Sequence, residues 1–176
     1  MKYIKVSNVQ SAFAVLAAAF AVLMLTPQQT RAATWKGLEP FVSKRADVER
    51  VLGKPSADRL ATDGTLRFDL PDGAVTISFV TARFIAARKL SPVLEGTVLQ
   101  IVVQHAASTA TPESLNLVSN PDYEKVASGP TQVYTNPKDG IYHTFVENRL
   151  KTTRYSYSEE QLRTSRAPSA EVKTPL

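Results

Sequence analysis

Along this chain the hydrophobic period changes from about 3.6 residues to two, and that switch sets a short helix ahead of a series of strands. Val48, Val51 and Leu52 recur at i, i+3 and i+4 and make one apolar stripe. Ser43 stands where a side-chain oxygen caps the first free amides, Gly53 suits a left-handed stop, and Pro55 forbids resumption. A helix of about ten residues does not hold in isolation, so the stripe is expected to pack on a sheet.

Thr65 to Leu70 alternates apolar and polar positions. Pro71-Asp72-Gly73 is turn chemistry, because proline presets φ and Asp-Gly accepts positive φ. Ala74 to Val80 alternates again, with Val75, Ile77 and Phe79 on one face, and the two runs predict a hairpin. Thr97 to Gln104 is β-branched and predicts a third, more buried strand. Thr131 to Thr135, a turn through Asn136 to Gly140, Ile141 to Val146, a turn at Asn148, and Leu150 to Tyr157 predict a second meander. The expected fold class is therefore α+β, a short N-terminal helix packed on an antiparallel meander sheet.

The two hairpins share an order of residues: threonine, an aromatic three later, proline six later, Asp-Gly and a closing Phe-Val (Phe79-Val80 and Phe145-Val146). This pattern fits two tandem helix-meander units. It equally fits two unrelated hairpins that converge on the same turn chemistry. Ser158, followed by Glu159-Glu160, is expected to cap a last short helix. Thr81 to Gly96 fits a strand extension, a short helix or a loop, and Arg166 to Leu176 is expected to be a frayed tail.

Composition changes the picture mainly at the N-terminus. Lys2 and Lys5 precede an uninterrupted apolar stretch of 14 residues, Ala12 to Leu25, ended by Thr26-Pro27. That length suits the apolar core of a cleavable signal peptide and falls short of the ~20 residues of a spanning helix. Thr30-Arg31-Ala32 places small residues at −3 and −1, so residues 1–32 are expected to be removed. The formal charge of +5 is partly the leader's: without Lys2, Lys5 and Arg31, 18 of the 21 basic residues remain against 16 acidic ones. So small an excess argues against nucleic acid as the partner. There is no cysteine, which excludes disulfides, a lipid-modified N-terminal cysteine, thiolate chemistry and cysteine-bound zinc. The expected organisation is a signal peptide over 1–32, one α+β domain over 33–165 and a tail over 166–176, in a periplasmic or extracellular protein with no membrane span after cleavage.

Trp35, Gly37 and Pro40, followed by the helix from Ser43 to Pro55, resemble a group of uncharacterised secreted bacterial proteins of Acidobacteria-type genomes. The match covers about 22 residues, Thr34 to Pro55, and implies compartment and architecture only. That group has cysteines and a tryptophan-rich loop where this chain has Arg83 to Glu95 with neither. More distantly, the order of helix, Gly-x-Pro and meander is similar to the BamE and β-lactamase-inhibitor-protein-like folds, exported α+β modules that bind other proteins. BamE is a lipoprotein, and this chain lacks the cysteine that such anchoring needs.

Catalytic constellations are poorly represented. His143 and Glu147, four residues apart in a strand, would point the same way about 13 Å apart, too far to pair directly. His105 closes the third predicted strand, and a metal site would need both histidines joined by a carboxylate such as Asp122 or Glu124. The histidines are expected to be ordinary half-exposed ones. No Gly-x-Ser-x-Gly elbow or phosphate loop is present, and Ser128 before Gly129-Pro130 suits a turn. Asp69, Asp72, Glu95 and Glu124 supply only the carboxylate pairs any acidic surface offers. The second meander gathers Tyr134, Tyr142, Phe145, Tyr155 and Tyr157 with Arg149, Lys151 and Arg154 interleaved. Tyrosine and arginine anchor interfaces, so Tyr134, Tyr142, Arg149, Arg154, Tyr155 and Tyr157 are the expected binding residues. The expectation is an exported, non-enzymatic binding module for an envelope protein or a glycan, without cofactor or metal. The alternatives are a small envelope hydrolase using His143 or His105, and a scaffold component of an envelope assembly.

Overall fold

The computed structural model describes residues 32–167. The expected signal peptide, apart from its last residue, and the tail beyond Ala167 lie outside the described residues. The fold is α+β. Helix α1 (Arg45–Leu52) precedes strands β1 (Ala57–Arg59), β2 (Thr65–Leu70) and β3 (Gly73–Phe79). Helix α2 (Ala82–Arg88) and a 3-10 turn (Pro92–Leu94) lead to β4 (Val98–His105). Strands β5 (Glu124–Ser128), β6 (Thr131–Asn136), β7 (Ile141–Val146) and β8 (Arg149–Ser156) follow, then α3 (Glu159–Thr164).

All strands belong to one eight-stranded antiparallel sheet in the order β1-β2-β3-β4-β8-β7-β6-β5. Two four-stranded meanders thus meet through their last strands, β4 and β8. The sequence repeat has a geometric counterpart. Leu99 is a bulge in β4 opposite Ser78/Phe79, and Lys151 is a bulge in β8 opposite Thr144/Phe145. Gly73 lies so close to the carbonyl of Gln104 that a Cβ would overlap it, and Gly140 does the same against Ser156. Gln104 and Ser156 each stand five residues past their bulge. Bulges re-aim a strand and are built features, so their recurrence here fits two copies of one unit. The second unit carries no helix: its counterpart of α1 is a turn at residues 112–116.

One face of the sheet is covered. Leu66, Phe68, Val75, Ile77, Ile101 and Val103 pack with Leu38 and with Val48 of α1 in the main core. Each such side chain, fully buried, contributes about 1.5–3 kcal/mol. Phe41, Val80, Leu90 and Leu94 form a second cluster with α2, α3 and Tyr157. Leu117, from the long β4–β5 connection, packs on Tyr134, Phe145 and Leu150.

Several sequence expectations are corrected. Ser43 does not cap α1: its buried hydroxyl accepts from the Glu39 amide, and the N-cap is Lys44, whose amide donates to Asp47 Oδ2 at 2.9 Å. Ser43 is drawn inward because its carbonyl accepts from Val98, anchoring the helix start to β4. Val51 of the expected stripe is exposed, since the sheet reaches only Val48 and Leu52. Within Thr81 to Gly96 the short-helix alternative holds, with Thr81 Oγ1 accepting from the Phe84 amide. Strands β1 and β5 were not expected; three residues and a fully exposed edge leave no alternating pattern to read. Ser158 caps α3 as expected, and Gln161 completes a reciprocal capping box. The tail is held at its start, where Arg166 bridges to Leu90 and the Ala167 amide donates to Lys89.

Candidate functional site

Register decides which side chains share a face, because neighbours along a strand point oppositely. The aligned residues Arg67, Thr76, Val102, Arg154 and Tyr142 cross five strands on the open face. The next row on that face holds Asp69, Ala74, Gln104, Thr152 and Thr144. None of these side chains belongs to a core cluster. Between β7 and β8, next to the seam with the first meander, the Arg154 guanidinium lies 3.8 Å from the Tyr142 ring centroid, a close cation–π stack.

The three other expected tyrosines separate from this pair. Tyr134 is buried on the covered face, edge-on to Phe145 at 5.7 Å. Tyr155 packs against the main core from the same face, and burial pushes its hydroxyl pKa up. Tyr157 stacks on Phe41 at 4.7 Å. Arg149 is exposed at the β7–β8 turn, paired in register with Val146. Strand alternation therefore splits the expected tyrosines between the two faces, while the Lys151 bulge keeps Arg149 on the open face with Arg154. Tyr142 and Arg154 meet on the open face, while the three remaining tyrosines stabilise the fold.

The structure also brings together the two histidines. His105 Nε2 and His143 Nδ1 both lie within hydrogen-bond reach of Thr153 Oγ1, at 3.0 Å and 3.2 Å. Thr153 is buried, on β8 between the strands that carry the two rings. Its single hydroxyl proton serves one ring nitrogen, so the other must donate to the oxygen; the three groups form a directed chain. Burial, and secondly the neighbouring His105, lower the His143 pKa to about 4. Burial also lowers that of His105. Tyr123 lies beside His143, ring centroids 5.8 Å apart, with its hydroxyl pKa raised by burial and then by Asp139. Sequence spacing could not reveal this trio, because it depends on β4 pairing with β8.

Glu147 does not point with His143 along a strand; it sits at positive φ in the β7–β8 turn. Asp69, Asp72, Glu95 and Glu124 lie on β2, the β2–β3 turn, the turn after Leu94 and β5. Among the described residues no three His, Cys, Asp or Glu groups are placed to hold a metal ion. No helix among them is long and apolar enough to cross a membrane.

No protein-family model matches the chain, and no curated protein matches it. Among solved structures it is similar to a DUF4309 family protein, YjgB, from Bacillus subtilis subsp. subtilis str. 168. That likeness has a TM-score of 0.49 and 12% identity, and spans 74% of this chain and 89% of that one. The resemblances to Acidobacteria-type secreted proteins and to BamE-like folds gain no support from these comparisons.

Proposed function

We propose that this chain is an exported, non-enzymatic interaction module that receives a protein partner on the open face of its sheet. The observation that carries this is the asymmetry of the sheet. The clusters that cover it lie on one face or at one end, while the other face keeps a preorganised Tyr142–Arg154 pair among half-buried threonines, valines and glutamines. A rigid sheet with an aromatic–arginine anchor suits recognition without reorganisation. The histidine pair favours this over the hydrolase alternative, because both rings turn toward a hydroxyl that is only 4% exposed. Export rests on the leader pattern over residues 1–32.

The test has two parts. Fractionation with mass spectrometry should find the chain outside the cytoplasm and starting at Ala33; an intact cytoplasmic chain overturns the export half. Affinity capture from the envelope fraction should recover a stoichiometric partner, released by Thr152→Trp, a bulky neutral block on the open face. A partner held equally well by that variant overturns the assignment of the face. Tyr155 is a poor site for such tests, since its truncation hollows the core.

A further inference from the structure

Resting on the open-face proposal, we infer that the partner segment is an acidic protein chain, read at two carboxylate positions by Arg154 and by Arg67. Four observations lead there. First, Arg154 is aimed and free. Stacking on Tyr142 fixes its plane, and among the described residues it makes no ion pair, so its donor fork is open to a carboxylate.

Second, the same stack removes the platform a sugar would need. A glycan ring binds by lying on an exposed aromatic face, and the guanidinium already lies against the Tyr142 ring. Third, Arg67 stands in the same transverse row, separated from Arg154 by Thr76 and Val102. Three strand spacings put the two arginines roughly 14 Å apart, about the advance of four residues in an extended chain. Arg67 is held by two long, exposed contacts, to Asp69 at 3.5 Å and to the Gln104 side-chain oxygen at 3.5 Å, which are cheap to give up.

Fourth, the Arg67 end opens into a groove of about 480 Å³ between β1, β2 and β3, lined also by Ala57, Arg59, Asp63, Thr65 and Thr76. Arg59 likewise makes no ion pair among the described residues. Arg59, Arg67 and Arg154 thus stand on this part of the face against two carboxylates, Asp69 in the next row and Asp63 in the groove, although the chain without its leader is nearly neutral. Its complement is an extended segment with acidic side chains about four residues apart, laid across the strands.

The experiment titrates the full chain with poly-L-glutamate at low and physiological salt, with polygalacturonate and chitohexaose as glycan arms. Poly-L-glutamate should bind, weaken as salt rises, and lose about tenfold in affinity with Arg154→Gln and again with Arg67→Gln. Tyr142→Leu, which keeps the charge and frees the guanidinium, should lose several-fold. Arg83→Gln with Arg88→Gln, on α2 away from this face, should change nothing. Failure to bind poly-L-glutamate overturns the inference. An equal loss in the α2 variant does so too, by showing diffuse charge attraction alone, as does tighter binding of either glycan. The two proposals fail separately. A captured envelope partner that Thr152→Trp releases but the arginine variants retain removes the acidic inference and leaves the open-face reading. A partner retained by Thr152→Trp removes the reading itself.

Discussion

The two meanders share a frame and fill it differently. Counting from the bulges, Ile77 and Ile101 in the first occupy the places of His143 and Thr153 in the second. Both pairs lie directly opposite across neighbouring strands, on the covered face. In the first meander the pair is fully buried hydrocarbon beneath α1. In the second it is an imidazole and a hydroxyl beneath an irregular connection, with His105 reaching in from β4. Backbone geometry is thus maintained by turns, glycines and bulges, while the choice of core side chain is free to follow need. The first meander supplies stability. The second gives up some hydrocarbon for a polar chain at the seam between the units.

The sharpest way to break the shared frame is at its closing glycines. Gly73→Ala and Gly140→Ala each force a Cβ into a neighbouring strand's carbonyl at positive φ. Each should cost about 3 kcal/mol or more, read as a fall in denaturant midpoint. A similar loss from both would confirm that the frame is common; a silent Gly140→Ala would break the equivalence. Next, Ile77→Ala should cost about 3 kcal/mol through a cavity in the main core. Thr153→Ala, at the matching place, should cost roughly half that, from lost hydrogen bonds alone.

Titration separates the halves further. The His143 pKa, about 4 when folded, is below its ordinary 6.5, so the unfolded chain binds the proton first. The stability this group contributes is therefore complete above pH 6.5 and is lost as pH falls toward 4. Allowing for screening by nearby water, the loss is roughly 2 kcal/mol, measured as the difference in pH profile between the parent and His143→Gln. Transplanting the first meander's pair, His143→Ile with Thr153→Ile, should remove that acid slope; because His105 then loses its Thr153 partner, stability at neutral pH should change by no more than about 1 kcal/mol. A strong loss instead would mean that the trio holds the seam together. Smallest of all, Arg154→Gln should move the unfolding midpoint by no more than about 0.5 kcal/mol, because an exposed stack is not part of the core.

How much of this was legible in the sequence depends on range. Period-two alternation placed β2 and β3, β-branched content placed β4, and turn chemistry marked off β6, β7 and β8, each to within a residue or so at either end. Side-chain caps at Thr81 and Ser158 are local too, although only the second was read. What failed locally failed for a physical reason. Ser43 was lost as a cap because a tertiary hydrogen bond to β4 pulled it inward. Strands β1 and β5 exist by pairing with a neighbour, not by pattern.

Likewise the sequence could count aromatics and arginines in the second meander but could not sort them by face, since one bulge residue reverses the alternation beyond it. By itself the sequence determined the α+β class, the order of most elements and the chemistry that a chain without cysteine lacks. Only the tertiary structure decided that two meanders fuse through β4 and β8. It alone left Tyr142 with Arg154 on the open face and brought both histidines to Thr153. Alternation and turn chemistry act over a few residues and are written where they act. Sheet order and shared faces arise from contacts between residues far apart in the chain, and no local pattern encodes them.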